Sequence, residues 1–218
     1  MRIVFLEPRA CEANVYSKLH MPLLGPVYLG TILKNRGHGK SSDKFSWTAH
    51  EQKDLRAITS YAKENHYAGI GVVGFSLGAA VALIEASRHQ NIDSVIAVSP
   101  PADLGSIDYH FWEKDMWEDL KLNLGTKGRG KGIRAGDPSL EKVRPIDIVD
   151  KISPTPVLFI HGGKDWLIKS SHSQRLFEKA RAPKALSIIK DGGHAERMFD
   201  VCPDQFMKIC LDRFRETL

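Results

Sequence analysis

The sequence predicts an α/β fold, a mostly parallel sheet flanked by helices, and three observations carry that reading. Short apolar runs recur along the chain: Arg2 to Leu6 (RIVFL), Ile70 to Phe75 (IGVVGF), Ile92 to Val98 (IDSVIAV), Thr155 to Ile160 (TPVLFI) and Ala185 to Ile189 (ALSII). Each has the length and composition of a buried strand. The second run passes through one serine into a helix-like stretch, and the last two end in glycine-rich polar turns that carry an aspartate and a histidine.

RIVFL is the first expected strand and leads into Glu7-Pro8-Arg9-Ala10-Cys11. Val27 to Leu33 (VYLGTIL) is rich in strand formers. After IGVVGF, Leu77 to His89 (LGAAVALIEASRH) has the length and residues of a helix, and Ala79, Ala80 and Ala82 let it approach the sheet closely. IDSVIAV is the next strand. From Ser99 to Ser153 the chain is longer than one crossover helix requires, so a small lid is expected at about 100–150. Its Tyr109, Phe111, Trp112, Met116 and Trp117 would either line an apolar pocket or pack on their own helix, with Glu113, Asp115, Glu118 and Asp119 facing solvent. Pro154 and Pro156 introduce TPVLFI, and ALSII follows. With 218 residues, 42% of them hydrophobic, a single domain over 1–218 can build one substantial core.

Gly74-Phe75-Ser76-Leu77-Gly78 reads as a nucleophile elbow. A strand that reverses sharply into a helix strains the serine and leaves no room for side chains two positions either side; glycines stand at both. A serine hydroxyl is a poor nucleophile at neutral pH and needs a histidine base with a carboxylate to orient it. TPVLFI ends in His161-Gly162-Gly163-Lys164-Asp165, and ALSII in Lys190-Asp191-Gly192-Gly193-His194. Ser76, Asp165 and His194 thus follow three strand ends. Asp165 could instead cap a helix starting near Ser170, with Asp191, Asp147 or Asp150 as weaker substitutes. His161 is expected to stabilise its own turn and His38 to shape a loop. No histidine pair has zinc-site spacing backed by a third ligand, so no metal is expected.

Gly74 to Gly78, His161 to Asp165 and Gly192 to His194 together resemble the α/β-hydrolase family, with small esterase-like and acyl-peptidase-like members as the nearest likeness. The resemblance runs from about His38 to the C-terminus. It includes Arg36-Gly37-His38-Gly39-Lys40-Ser41, similar to an RGHGxS loop common in that family. It implies a catalytic Ser76 nucleophile, a His194 base, an Asp165 orienter and the Leu77 backbone amide as one oxyanion donor. The activity it implies is hydrolysis of a carboxylic ester through an acyl-enzyme, with thioesters and short peptides as further substrates and no cofactor.

The front of the chain departs from the family pattern. Only 69 residues precede Ile70, and no His-Gly pair follows RIVFL to supply the second oxyanion donor. The fold is therefore expected to be truncated or altered on its N-terminal side. Residues Met1 to His38 resemble the opening of the cobalamin-binding domain found ahead of many radical SAM enzymes, through IVFLEP, Pro22-Leu23-Leu24-Gly25-Pro26, Tyr28-Leu29 and Leu33 to His38. That likeness would make Val27 to Leu33 a helix. The rest of such a domain is absent, and cobalamin is not expected. Two consequences follow from an altered front. The chain could be an impaired hydrolase remnant or an interaction domain. Missing strands would also expose an edge, to be covered by RIVFL or by a second chain in a homodimer.

Composition narrows partners more than chemistry. Net charge is +5, concentrated in Lys127-Gly128-Arg129-Gly130-Lys131-Gly132-Ile133-Arg134; glycine alternation without interleaved aromatics reads as a solvated loop, not a nucleic-acid site. No apolar run reaches membrane-spanning length, and the first residues do not form a signal peptide. Three cysteines, Cys11, Cys202 and Cys210, are too few for a disulfide framework. Cys202 and Cys210 are expected in buried helical positions, and a reducing cytoplasm fits best. The expected partner is a small-molecule acyl substrate.

Overall fold

The computed structural model describes residues 2–6, 44–64, 69–107, 136–137, 139–195 and 197–218. Val27 to Leu33, the RGHGKS loop, Cys11, the lid aromatics and the basic glycine-rich stretch lie outside the described residues. Five parallel strands form one sheet in sequence order: β1 (Arg2–Leu6), β2 (Ile70–Phe75), β3 (Ser94–Val98), β4 (Val157–Gly162) and β5 (Lys184–Ile189). The helices are α1 (Glu51–Glu64), α2 (Leu77–Arg88), α3 (Ser171–Lys179), α4 (Arg197–Val201) and α5 (Pro203–Thr217). All five strands expected from apolar runs are present, but β5, an outer strand of the sheet, is half-buried where a buried strand was expected. TPVLFI starts and ends two residues later than expected, so that His161 and Gly162 belong to β4.

β2, β3 and β4 are buried along their whole length. Their side chains alternate between two apolar clusters, as the two-residue period of a strand requires. Val72, Val95, Ala97, Val157 and Phe159 face one layer with Leu55 of α1, the alanines and Leu83 of α2, and Leu176 of α3. Val73, Phe75, Ile96, Val98, Leu158 and Ile160 face the other, packed by Phe199 of α4 and Phe206, Cys210 and Phe214 of α5. Cys210 is buried as expected, whereas Cys202 is half-buried at the junction of α4 and α5.

α1 is anchored at its start by Glu51, whose buried carboxylate accepts from the Ser46 and Thr48 amides at 2.6 and 2.8 Å and from the Ser46 hydroxyl. That bends the incoming chain, with Trp47 and Thr48 at positive φ. Further along, Arg56 of α1 clasps the buried Glu85 of α2 through two 3.1 Å hydrogen bonds, and Asn91 bridges Glu85 and Thr59.

β1 lies directly against the elbow strand, from Arg2 opposite Ile70 to Leu6 opposite Gly74. The edge beside β2 is therefore covered by RIVFL from the same chain, and among the described residues β1 is itself the outer strand of the sheet. The remaining calls on residues 1–37 fall outside the described residues. All strands being parallel, their carboxyl ends share one rim, where α/β sheets carry their sites.

Candidate active site

β2 delivers Ser76 to that rim in a strained conformation, φ 50° and ψ −118°. The strain is held on both sides. The Ser76 amide donates to the Val98 carbonyl at 2.8 Å, and its own carbonyl accepts from the Ala79 and Ala80 amides. A Cβ at Gly74 would come within 2.5 Å of the Gly78 carbonyl oxygen and 2.7 Å of Ala79 Cα. Both atoms are backbone and cannot give way, so the glycine is a requirement of the turn.

The other two strand ends are locked to each other. The Gly163 amide donates to the Ile189 carbonyl at 2.8 Å and the Lys164 amide to Gly192 at 2.9 Å. A Cβ at Gly162 would overlap the carbonyls of Gly192 and Gly193. Two backbones in contact fix the loop that carries Asp165 relative to the one that carries His194.

His194 bridges the strand ends. Its Nδ1 lies 3.0 and 2.9 Å from the Asp165 oxygens, and its Nε2 lies 3.1 Å from Ser76 Oγ. A carboxylate can only accept, so Nδ1 carries the proton in the neutral ring and Nε2 is left as the acceptor for the serine hydroxyl. His194 and Asp165 are both buried, and Ser76 is half-buried. The Trp166 ring stands edge-on to the imidazole, 6.4 Å between centroids.

Asp165 also accepts from the Leu167 and Ile168 amides at 3.0 and 2.8 Å. It does cap, as the plainer expectation had it, but it caps its own turn; α3 begins later, at Ser171. Burial opposes the charge and is the largest single influence on this carboxyl. The charge of His194, the hydrogen bonds of His161 and His194 and the charge of His161 together outweigh it, holding the group well below the usual carboxylate range.

Three residues that sequence reasoning gave no role in the site support it. Ser99, buried at φ 48° just past β3, accepts from the Ala195 amide at 3.2 Å and so pins the residue after His194. His161 is fully buried. Its Nδ1 lies 2.7 Å from Ser173 Oγ and its Nε2 2.7 Å from the Ile168 carbonyl and 3.3 Å from Asp165 Oδ2. Asp165 therefore belongs to two Ser-His-Asp chains, but Ser173 is fully buried in α3 and Ser76 is the more accessible serine. The signal for His161 was its place four residues before Asp165; Ser99 offered only its place directly after β3, and Ser173 had none.

Leu77 opens α2, where its amide has no upstream helical carbonyl to bond and points with the helix N-terminus. Asp191 pairs with Lys164 on the surface and Asp147 with Arg144. Asp150 lies 4.0 Å from Arg181, so none of the three substitutes for Asp165. Among the described residues no group of three His, Cys, Asp or Glu could hold a metal, and no helix is long and apolar enough to cross a membrane.

Known proteins share this fold. The solved α/β hydrolase GrgF from Penicillium sp. sh18 superposes with a TM-score of 0.70 at 18% identity, over 99% of this chain and 89% of that one. The Pyrococcus furiosus esterase Pf2001 superposes with a TM-score of 0.60 at 23% identity, over 84% of this chain and 68% of that one. Both likenesses establish the fold. YqkD of Bacillus subtilis (strain 168) is 37% identical over 174 residues, 75% of this chain and 55% of YqkD. The chain thus spans about half the length of that curated relative. The likeness of residues 1–38 to a cobalamin-binding domain finds no support in these likenesses, and Arg2–Leu6 pairs with the elbow strand. The model of the serine hydrolase (FSH1) family matches residues 30–195, an interval that holds the elbow, Asp165 and His194 together, and the chain belongs to that family.

Proposed function

We propose that this chain hydrolyses carboxylic esters through an acyl-enzyme on Ser76. His194 takes the hydroxyl proton as Ser76 attacks the carbonyl and returns it to the leaving alcohol. Asp165 holds the imidazole in the productive tautomer and stabilises the imidazolium. The Leu77 amide, at the start of α2, donates to the oxyanion. Water then repeats the sequence and frees the acid. The observation that carries this reading is the unbroken path from Ser76 Oγ to His194 Nε2, at 3.1 Å, and from His194 Nδ1 to Asp165, at 2.9 Å.

An intact path joined to a strained elbow also favours an enzyme over an inherited remnant, because strain of this kind lowers stability and persists where the fold enforces it. Thioesters and short peptides are chemically open to the same machinery, and the acyl pocket selects among them. A fluorophosphonate probe together with a p-nitrophenyl ester series tests the proposal. The wild type and Ser173→Ala are expected to label and turn over, and Ser76→Ala to do neither. A folded wild type that never labels, or labelling that survives Ser76→Ala, would refute it.

A further inference from the structure

Asp165 is shared between two imidazoles, and only one of them reaches the reacting serine. His161 sits wholly inside the protein, where an idle imidazole is costly unless both nitrogens are satisfied. Both are. The atoms facing Nε2 are the Ile168 carbonyl at 2.7 Å and Asp165 Oδ2 at 3.3 Å, and both only accept. Nε2 therefore carries a proton, and in the neutral ring Nδ1 is the acceptor for the Ser173 hydroxyl at 2.7 Å. Ser173, buried in the first turn of α3, thus fixes which way the proton of His161 points.

We propose that Ser173 and His161 form a buried positioning relay that sets the orientation and charge density of the Asp165 carboxylate towards His194. This rests on the reading of Ser76, His194 and Asp165 as the working triad. His161 touches no reacting atom, so it is a positioning residue. Its Nε2 proton is shared between the Ile168 carbonyl and Asp165 Oδ2, the same oxygen that His194 Nδ1 approaches at 2.9 Å, so it competes with His194 for that oxygen's electrons and ties the turn that carries Asp165 and Ile168 to β4. The other groups around the pair do not duplicate that donor. The Leu167 and Ile168 amides bind Oδ1, Trp166 offers its ring edge to His194, and Ser76 lies beyond Nε2. His172, on α3 beside His161, accepts from the Ala102 amide, with Arg175 and Asp103 acting on it from further out. Lys164 and Asp191 pair with each other at the surface.

The relay predicts a direction. Without the His161 donor, Asp165 directs more of its charge at His194, so imidazolium formation becomes easier. In His161→Phe the His194 titration midpoint, read by NMR and assigned by its loss in His194→Gln, should rise by about one unit. His161→Gln, whose amide can still donate, should stay within about 0.3 unit of the wild type. Ser173→Ala unpins the ring at one end and should give an upward shift of about half a unit; it also serves if His161→Phe fails to fold. The acid limb of kcat/KM should move with the midpoint while KM holds. An unmoved midpoint in Ser173→Ala and in folded His161→Phe would overturn the relay. Because the titration needs no turnover, a shifted midpoint in a protein that never labels with fluorophosphonate would support the relay while removing the hydrolase reading.

Discussion

At Ser76 a hydroxyl is held 3.1 Å from an imidazole by a backbone that costs energy to maintain. Removing the hydroxyl leaves the elbow backbone intact, so Ser76→Ala should fold normally while kcat falls by about 10⁴–10⁶, measured with an activated ester beside a thermal melt. Gly74→Ala acts the other way. Its methyl meets the Gly78 carbonyl and Ala79 Cα, and a clash between backbones relaxes only by opening the turn. A loss of about 2–4 kcal/mol in denaturant unfolding is expected, with activity lost in parallel. Asp165 supplies the pH dependence. Its folded carboxyl ionises below the ordinary value of 3.8, so the unfolded chain binds the proton first on acidification. The stability this charge contributes is complete above the ordinary carboxylate range and is lost as pH falls through the lower, folded value. The melting temperature of the wild type should therefore drop steeply below about pH 4, and Asp165→Asn should lack that part of the drop.

Between elements, the contacts that set the site are few and specific. Ser99 ties β3 to the His194 loop through the Ala195 amide. Ser99→Ala removes one neutral hydrogen bond, worth about 1 kcal/mol, and should lower kcat several-fold with little change in KM. The α1–α2 seam is held by Glu85, which is completely buried beneath a partly exposed Arg56 and also accepts from Asn91. Glu85→Ala removes one of the two acceptors of Asn91 and frees the guanidinium, and should cost about 1–3 kcal/mol in denaturant unfolding. Neither contact is visible as a motif. Ser99 simply follows an apolar run, and Glu85 reads as a surface residue of an amphipathic helix until α1 is laid over it.

Across the whole molecule, β1 decides whether the elbow strand is a paired strand or an edge. Its register with β2 runs from Arg2 to Leu6 without interruption. Deleting residues 2–6 would leave β2 with an unpaired, apolar edge. Such edges recruit other chains, so the shortened protein should form dimers or larger species in size-exclusion light scattering while the full chain does not change. The departure at the front of the sequence does not remove that pairing: RIVFL takes the place beside the elbow strand.

Local patterns in the chain were enough to place the strands, their glycine-bounded turns, the elbow at Ser76 and Asp165 and His194 after two later strands. These features are local: apolar runs mark buried strands, and a turn that forbids a Cβ demands glycine at one position. Tertiary structure decided what depends on distance between remote segments. It put β1 against β2, gave Asp165 two imidazole partners in place of one, and brought Ser173 and Ser99 to the site from 12 and 96 residues away from the groups they bind. It also paired the fully buried His161 with Ser173, and His194 with Ser76. A hydrogen bond forms within about 3 Å, and no spacing along a chain reports such a distance until the sheet has fixed which strand ends are neighbours.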